Sequence, residues 1–573
     1  MKDTSTRSRI IKRGTAQTVA DLRAQRPGID NTDHPYAFDL KNSVEIIQKA
    51  IADGEHITII GDYDADGICA SAIMATALKQ LGVNPDVRLP LRFTEGYGMN
   101  PVMVDEIESG LVITVDNGIA AHEAISAAKA KGLTVLVTDH HEPVIDGDKI
   151  ILPEADCVIN PHVERLSGQG GYDFHGYCGA GIALKLAERL LEGKPAQIID
   201  RLYPFAMIAT VADVMPLVED NRNIYKRGAK NVQLGNMTTG LAQLFAMNKV
   251  NTQDIPAGFA PHQVITADQI GFRIGPCINA ASRMSDDGAM LAYRCLTSDG
   301  SNREARGIAE QLVNINDKRK TITASERAEI ERQIDALKVK CPIVIYLPDS
   351  APGIIGLHAG WIAENYGVPA IVICGHGDKC KGSARSVEGA HMKNLADECA
   401  ELLEEHGGHE GAAGLTIREE NIPAFREKFT EVCIVHGVHP VIHTDIECDL
   451  VISEKDVAKT LQELKAMEPF GEGNPQPVIC VKDFRPRDVK TMAGKHGKWI
   501  GEGIEVIKWG AVEEGMPEID PDTPVAVVGT LGYNFFRGNA SHQMIADYIG
   551  DGRTPDHVIE ENAFEDPWAD PRG

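Results

Sequence analysis

Apolar and polar positions first fall into an alternation of short buried runs and amphipathic or small-residue stretches. Ile57–Ile60 is a β-branched run closed by Gly61, which reads as a buried strand. Ile68–Leu81 follows as a small-residue helix of the kind that packs closely on a sheet. Further apolar runs occur at Val87–Leu91, Leu111–Val115, Leu133–Val137 and Cys157–Ile159, separated by helical stretches such as Ala120–Ala130. Strands alternating with helices predict a parallel sheet, and in open sheets of this class ligands gather at the carboxyl ends of the strands. Helices dominate from about 177 to 235. Ile308–Lys340 contains no Gly or Pro, and Ile308, Leu312, Ile315, Ile322, Ile330, Ile334 and Leu337 keep helical spacing, which predicts a long helix joining two lobes. A second α/β segment starts at Pro342, with strands at 343–347 and 370–374, a helix near Leu357–Asn365 and a loop over Lys379–Ser386. Short strand-like runs beyond 435 predict a small β-barrel.

These patterns divide the chain into a loosely organised leader (1–40), a parallel-sheet domain (41–235), a helical connector (236–340), a second α/β domain (341–434), a β-barrel (435–550) and an acidic, disordered tail (551–573). At 573 residues the chain is too long for one core, in keeping with several domains. The net charge of −26 argues against a general basic surface for duplex DNA, but not against positive charge confined to a cleft. Twelve Cys without a C-x-x-C pair fit reduced thiols and a cytoplasmic location. No apolar run is long enough to span a bilayer, and MKDTSTRSRIIKRG lacks the apolar core of a signal peptide.

Candidate chemistry lies where the first-domain strands end. Asp62, Asp64 and Asp66 fall within five residues, and like charges this close need cations to neutralise them. Oxygen ligands without Cys suit Mg²⁺ or Mn²⁺. A calcium loop opens with the same D-x-D-x-D-G, but requires Glu at its twelfth position, which is Ile73. Leu111–Val115 ends in Asp116-Asn117-Gly118, Leu133–Val137 in Thr138-Asp139-His140-His141, and the apolar helix Ala206–Ala212 delivers Asp213. Singly, Asp116 reads as a turn former, Asp139 as a cap and Asp213 as a helix-ending carboxylate. Their recurrence at one sheet edge favours a shared site. If extended backbone persists past the strand, His140 and His141 point in opposite directions and cannot both face one metal. One would then bind metal and the other meet a substrate phosphate, with Asp139 orienting a histidine.

GDYDADG, TVDNG, TDHHEP and TVADVMPL, in this order, resemble the successive motifs of the DHH phosphoesterase superfamily. RFTEGYG, GIIGLHAG, KGSARS, GGHEGAAG and EPFGEGNPQPV narrow the resemblance to the RecJ family of single-strand-specific exonucleases, over about 55–550. That resemblance implies an α/β fold in which a parallel-sheet DHH domain is joined by a long helix to a second α/β, DHH-associated domain, followed by an OB-fold β-barrel. It implies two Mn²⁺ or Mg²⁺ ions held by Asp62, Asp64, Asp66, Asp116, His140 and Asp213, with Asp116 bridging and Asp139 and His141 close by. Asp116, His140, His141 and His409 are the implied catalytic residues, and Arg92, Ser383, Arg385 and His409 the implied substrate contacts. Phe93, Tyr97, Trp499, Trp509, Phe535 and Phe536 are candidates to stack on bases or to sit in the core. The implied activity is 5′→3′ hydrolysis of single-stranded DNA to mononucleotides in recombination and repair. Implied partners are single-stranded DNA, a single-stranded-DNA-binding protein and a helicase, with the protein itself a monomer. Alternatives within the resemblance are a phosphodiesterase acting on short oligonucleotides or cyclic dinucleotides, and a non-catalytic replication scaffold. One departure stands out. Where the family commonly carries Arg and Gly in this stretch, GPCINAASR has Cys277 and Ser282; if the family's Arg grips the terminal phosphate, either Arg273 or Arg283 substitutes for it or phosphate recognition is weaker.

Overall fold

The computed structural model describes residues 10–26, 28–30, 40–147, 149–163, 174–250, 265–338, 340–441, 445–517, 519, 523–536, 539–550 and 559–562. Its first sheet has five parallel strands in the order Asp86–Arg88, Ile57–Ile60, Leu111–Val115, Thr134–Thr138, Cys157–Ile159. Every residue of Ile57–Ile60 and Leu111–Val115 is buried, as in a sheet covered on both faces. From Ile57–Ile60 the chain first adds a strand on one side and then crosses to the other. The resulting switch point opens a crevice at the carboxyl ends of Ile57–Ile60 and Leu111–Val115.

The helix after the first strand begins at Ala65, three residues before the expected Ile68, because Asp64 caps it and accepts the N–H groups of Asp66 and Gly67. Its Ala-rich surface is almost wholly buried against the helices Gly179–Leu190 and Tyr203–Ala212. Gly67 is needed for the tight turn beneath it, since a Cβ there would lie 2.5 Å from the Asp62 backbone nitrogen.

The long helix runs from Asn302 to Ala336, capped by Ser301, whose hydroxyl accepts the Glu304 N–H. At 35 residues it spans about 50 Å, enough to belong to two cores. Ala309 and Leu312 pack into the first lobe, and Ile330 and Ile334 into the second. The second lobe carries a five-stranded sheet in the order Leu403–Gly408, Ala412–Ile417, Cys380–Arg385, Ala370–Cys374, Ile343–Tyr346. The segment expected as a loop over Lys379–Ser386 is therefore mostly a strand, antiparallel to both neighbours.

A seven-stranded sheet completes the chain in the order Leu450–Ile452, Val478–Phe484, Val525–Phe536, Asn539–Ile549, Glu505–Lys508, His496–Ile500, Asp488–Met492. It closes around Trp499, Phe484 and Val506, all fully buried. Trp499 is thus core and is unavailable to bases, whereas Trp509 is 53% exposed; the side chains of Phe535 and Phe536 lie outside the described residues.

Two terminal expectations are corrected. The leader is ordered where described: Ile10–Arg13 is a strand paired with Ile446–Cys448, and Ala16, Val19 and Leu22 enter the last domain's core. Within the tail, Ile559–Asn562 pairs with Ile10–Arg13, and the rest of the tail lies outside the described residues. No helix among the described residues is long and apolar enough to cross a membrane.

The last domain is docked onto the first. Arg222, fully buried, donates to the carbonyl oxygens of Ala466, Met467 and Pro469. The Leu217 N–H donates to the Glu472 carbonyl at 2.7 Å, which anchors the loop immediately after Asp213.

Candidate metal centre at the strand ends

Four separate segments converge at the crevice. Asp62, Tyr63 and Asp64 lead from the first strand into its helix, and Asp116 directly follows Leu111–Val115. Asp139, His140 and His141 follow Thr134–Thr138, and Asp213 ends the helix Tyr203–Ala212. Asp116 has a left-handed backbone, φ +63°, as does Val214 beside Asp213, φ +56°. Such conformations are costly for non-glycine residues and persist where surrounding structure imposes them. The neighbouring Asn117 helps impose this one. Its amide donates to the carbonyls of Ile60 (3.1 Å) and Val115 (2.9 Å), and its oxygen accepts the Met99 N–H (3.1 Å).

His140 Nε2 lies 3.1 Å from Asp116 Oδ1, 3.5 Å from Asp213 Oδ2 and 3.6 Å from Asp66 Oδ2. Three overlapping groups bring their ligand atoms within 4.8 Å: Asp116, His140 and His141; Asp66, His140 and Asp213; and Asp62, Asp64 and Asp116. Both histidines therefore face one site, contrary to the expectation from extended backbone. The cause is Asp139. Its Oδ1 accepts the N–H of His140 (2.7 Å) and of His141 (3.1 Å), which curls the chain, and also pairs with His141 Nδ1 at 2.7 Å. The two imidazoles end 4.5 Å apart. The other Asp139 oxygen accepts the Ile119 N–H.

Burial pushes the carboxyl groups up, and mutual repulsion adds to it. Asp62, with Asp64 beside it, and Asp116, surrounded by Asp66, Asp64 and Asp213, stand well above the usual carboxylate range. Asp64 is raised by burial and by Asp66, and Asp213 reaches about 8 for the same reasons. Burial alone would raise Asp139 too, but the hydrogen bond and charge of His141 outweigh it and hold Asp139 low. Burial lowers His140, leaving a neutral imidazole suited to bind metal. Against the opposing effect of burial, Asp139 raises His141 to about 9.

These carboxylates fit a pair of divalent cations. Asp62 Oδ1, Asp116 Oδ1 and Asp213 Oδ2 are buried without a hydrogen-bond donor. A close pair of like charges costs up to about 4 kcal/mol at an effective dielectric of about 20, against a net domain stability of about 5–15 kcal/mol. So many ionised carboxylates are tolerable only with cations between them. Asp66 differs from the others. Its two oxygens accept the N–H groups of Gly179 (2.6 Å) and Ala180 (2.8 Å), so it also anchors the amino end of the Gly179–Leu190 helix. That helix starts against Asp116, where a Cβ on Gly179 would lie 2.4 Å from Asp116 Cβ. Gly179→Ala is expected to displace Asp116 and lower turnover by about a hundredfold, with weaker Mn²⁺ binding measured by calorimetry.

Cationic groups gather nearby, where the two lobes meet. Arg92 covers the Tyr63 ring at 4.4 Å. Ser383 and Arg385 lie on one face of their strand and hydrogen-bond to each other at 3.2 Å, over Gly356 of the Pro352–Tyr366 helix. Arg283 donates to the Gly353 carbonyl at the start of that helix and lies within electrostatic reach of Arg92, Arg319, Arg385 and Asp64. Burial and these like charges lower it to about 10. None of these four arginines forms an ion pair among the described residues, although acids outnumber bases in the chain. Arg273 is exposed and donates to the Lys249 carbonyl. Cys277 is buried in the core. His409 is exposed, and its hydrogen bonds remain within the second lobe, to Gly411, Ala412 and Lys393.

Sequence reasoning missed two supporting residues. Asn279 accepts the Ala65 N–H at 2.7 Å, and Arg319 lies within electrostatic reach of Arg283, the residue named as a possible substitute for the missing cation. The signal for Asn279 was a polar residue in the otherwise small-residue GPCINAASR stretch.

Residues 56–210 match the DHH family, N-terminal domain, residues 340–434 the DHHA1 domain and residues 448–548 the RecJ OB domain. Fold and site thus define a DHH-type protein with a DHH-associated lobe and an OB domain. Over 547 residues the chain is 30% identical to the single-stranded-DNA-specific exonuclease RecJ of Salmonella typhimurium, covering 89% of this chain and 90% of that one. In fold it is similar to RecJ from Thermus thermophilus in complex with Mn²⁺, with a TM-score of 0.75 and 24% identity over 98% of this chain and 81% of that one. It is also similar to an exonuclease RecJ bound to manganese, with a TM-score of 0.59 and 28% identity over 70% of this chain and 95% of that one. The chain belongs to the RecJ family of single-stranded-DNA-specific exonucleases.

Proposed function

We propose that this chain is a divalent-metal-dependent exonuclease that hydrolyses single-stranded DNA from its 5′ end to mononucleotides, in recombination and repair. The observation that carries this reading is the set of buried, donorless oxygens on Asp62, Asp116 and Asp213 beside a neutral His140. Asp62, Asp64, Asp116, His140 and Asp213 would hold two Mn²⁺ or Mg²⁺ ions, with Asp66 contributing while it anchors its helix. When bound, the ions supply an acidified water and Lewis-acid stabilisation of charge on the phosphodiester.

The remaining steps belong to the chain's own side chains. His141, protonated at neutral pH and oriented by Asp139, faces the phosphoryl oxygens as a cation. Asp116 bridges the two halves of the site. Arg92, Ser383, Arg385 and Arg283 grip the terminal phosphate, the planar guanidinium of Arg385 matching two of its oxygens. On this reading Arg283 supplies the cation missing at Cys277. His409 approaches the scissile phosphate from the second lobe. The last domain guides the single strand, with the exposed Trp509 available for stacking. Such a platform supports long single strands over short or cyclic dinucleotides, and the full set of acids and histidines supports an enzyme over a non-catalytic scaffold. The protein acts in the cytoplasm as a monomer, with a single-stranded-DNA-binding protein and a helicase as partners.

Oligonucleotides blocked at either end test this reading. A 5′ block is expected to stop digestion and a 3′ block to leave it unchanged; equal digestion of both would overturn the direction. Arg385→Ala is expected to lower kcat/KM by about ten- to a hundredfold on 5′-phosphorylated substrate, and by less on 5′-hydroxyl substrate.

A further inference from the structure

Tyr97 sits in the loop that crosses the carboxyl ends of the strands, and its side chain is 50% exposed, as would suit a base-stacking ring. Its hydroxyl, however, points inward. It donates to the Asp116 carbonyl at 3.0 Å and lies 3.1 Å and 3.2 Å from the two nitrogens of His141. The ring packs edge-on against His141, with centroids 5.5 Å apart, and against Tyr63 at 6.2 Å. The loop does not depend on this hydroxyl for its place. The neighbouring Met99 N–H is bound by Asn117, and the Gly98 N–H by the Asp62 carboxylate.

The two groups that the hydroxyl touches belong to the two functional halves of the site, Asp116 among the metal-binding acids and His141 beside them. Asp116 holds a left-handed backbone, and its carbonyl direction is tied to where its carboxylate points. The His141 ring is held by Asp139 at Nδ1 and its side chain is 45% exposed; the Tyr97 hydroxyl sits at the ring edge between the two nitrogens.

We propose that Tyr97 is a positioning residue, whose hydroxyl locks the Asp116 backbone and the His141 ring in one register so that the metal-binding and phosphate-facing groups are set together. This rests on the metal-dependent nuclease reading above. The ring can still stack on a base; the positioning role belongs to the oxygen.

Tyr97→Phe separates the two roles, because it removes one oxygen and keeps the ring. Loss of a buried-end hydrogen bond of this kind corresponds to about a tenfold fall in kcat, with KM for single-stranded DNA and the melting temperature unchanged. Mn²⁺ binding, followed by calorimetry without DNA, is expected to weaken several-fold. Tyr97→Leu is expected to lose kcat to the same extent and to raise KM as well. A Tyr97→Phe protein with wild-type kcat and wild-type Mn²⁺ affinity would overturn the proposal, as would one in which only KM changes. Calorimetry decides the matter even if the wild-type protein shows no hydrolysis, an outcome that would count against the nuclease reading instead.

Discussion

Asp116→Asn is expected to lower single-strand hydrolysis at least about a thousandfold, a loss of several kcal/mol of transition-state stabilisation. The same substitution is expected to raise the melting temperature of the metal-free protein. Asp116 is buried among Asp62, Asp64, Asp66 and Asp213, and its ionised form is opposed by burial and by all of them. Asparagine has the same shape and no charge, and its N–H₂ can donate to the donorless oxygens of Asp62 and Asp213. It also tolerates the left-handed φ of +63° better than most residues. Activity and stability should therefore move in opposite directions, as expected where a site stores repulsion for a cation to relieve. Steady-state hydrolysis and thermal melting in chelator measure the two effects. Retained activity would place the chemistry elsewhere, and a lower melting temperature would mean that repulsion is not stored at Asp116.

Removing the metal should make stability strongly pH-dependent. Asp213 titrates near 8 in the folded protein because of burial and the charges of Asp66 and Asp64, and Asp62, Asp64 and Asp116 are raised as well. The folded state thus keeps protons that the unfolded chain releases near pH 4, so stability falls as pH rises from about 4 through about 8. His141, at about 9 when folded against an ordinary value of 6.5, adds stability that is present below 6.5 and lost as pH rises through about 9. Both contributions act in the same direction. Melting temperatures in chelator are expected to fall steadily between pH 5 and 9, and saturating Mn²⁺ to flatten the curve by replacing protons as the counter-charge. A flat curve in chelator would show that the carboxylates are not held together as described.

Much of this site was legible in the sequence because parallel topology gathers strand ends. Asp62, Asp64 and Asp116 needed only that alternation to be placed at one edge, whereas Asp213 ends a helix and joined them through the order of the motifs that resemble the DHH superfamily. The histidines needed more. Extrapolating extended backbone past Thr138 separated His140 from His141, whereas the Asp139 side chain captures both N–H groups and bends the chain. Cys380–Arg385 gave little strand signal because its inward positions include Gly382 and Ala384, and Gly382 is small for a reason found across the sheet: a Cβ there would meet Leu415 at 2.5 Å. The leader's strand, Ile10–Arg13, is four residues long and acquires meaning only beside its partner Ile446–Cys448, far away in sequence. Arg283, Arg319 and Arg385 likewise become one group only when the long helix sets the two lobes together.

The most direct test of the account is digestion of end-labelled single-stranded and duplex DNA in Mn²⁺, in Mg²⁺ and in chelator. Release of mononucleotides from the single strand alone, and only with a divalent ion, is the expected result. Hydrolysis that persists in chelator, or that consumes duplex equally well, would contradict it.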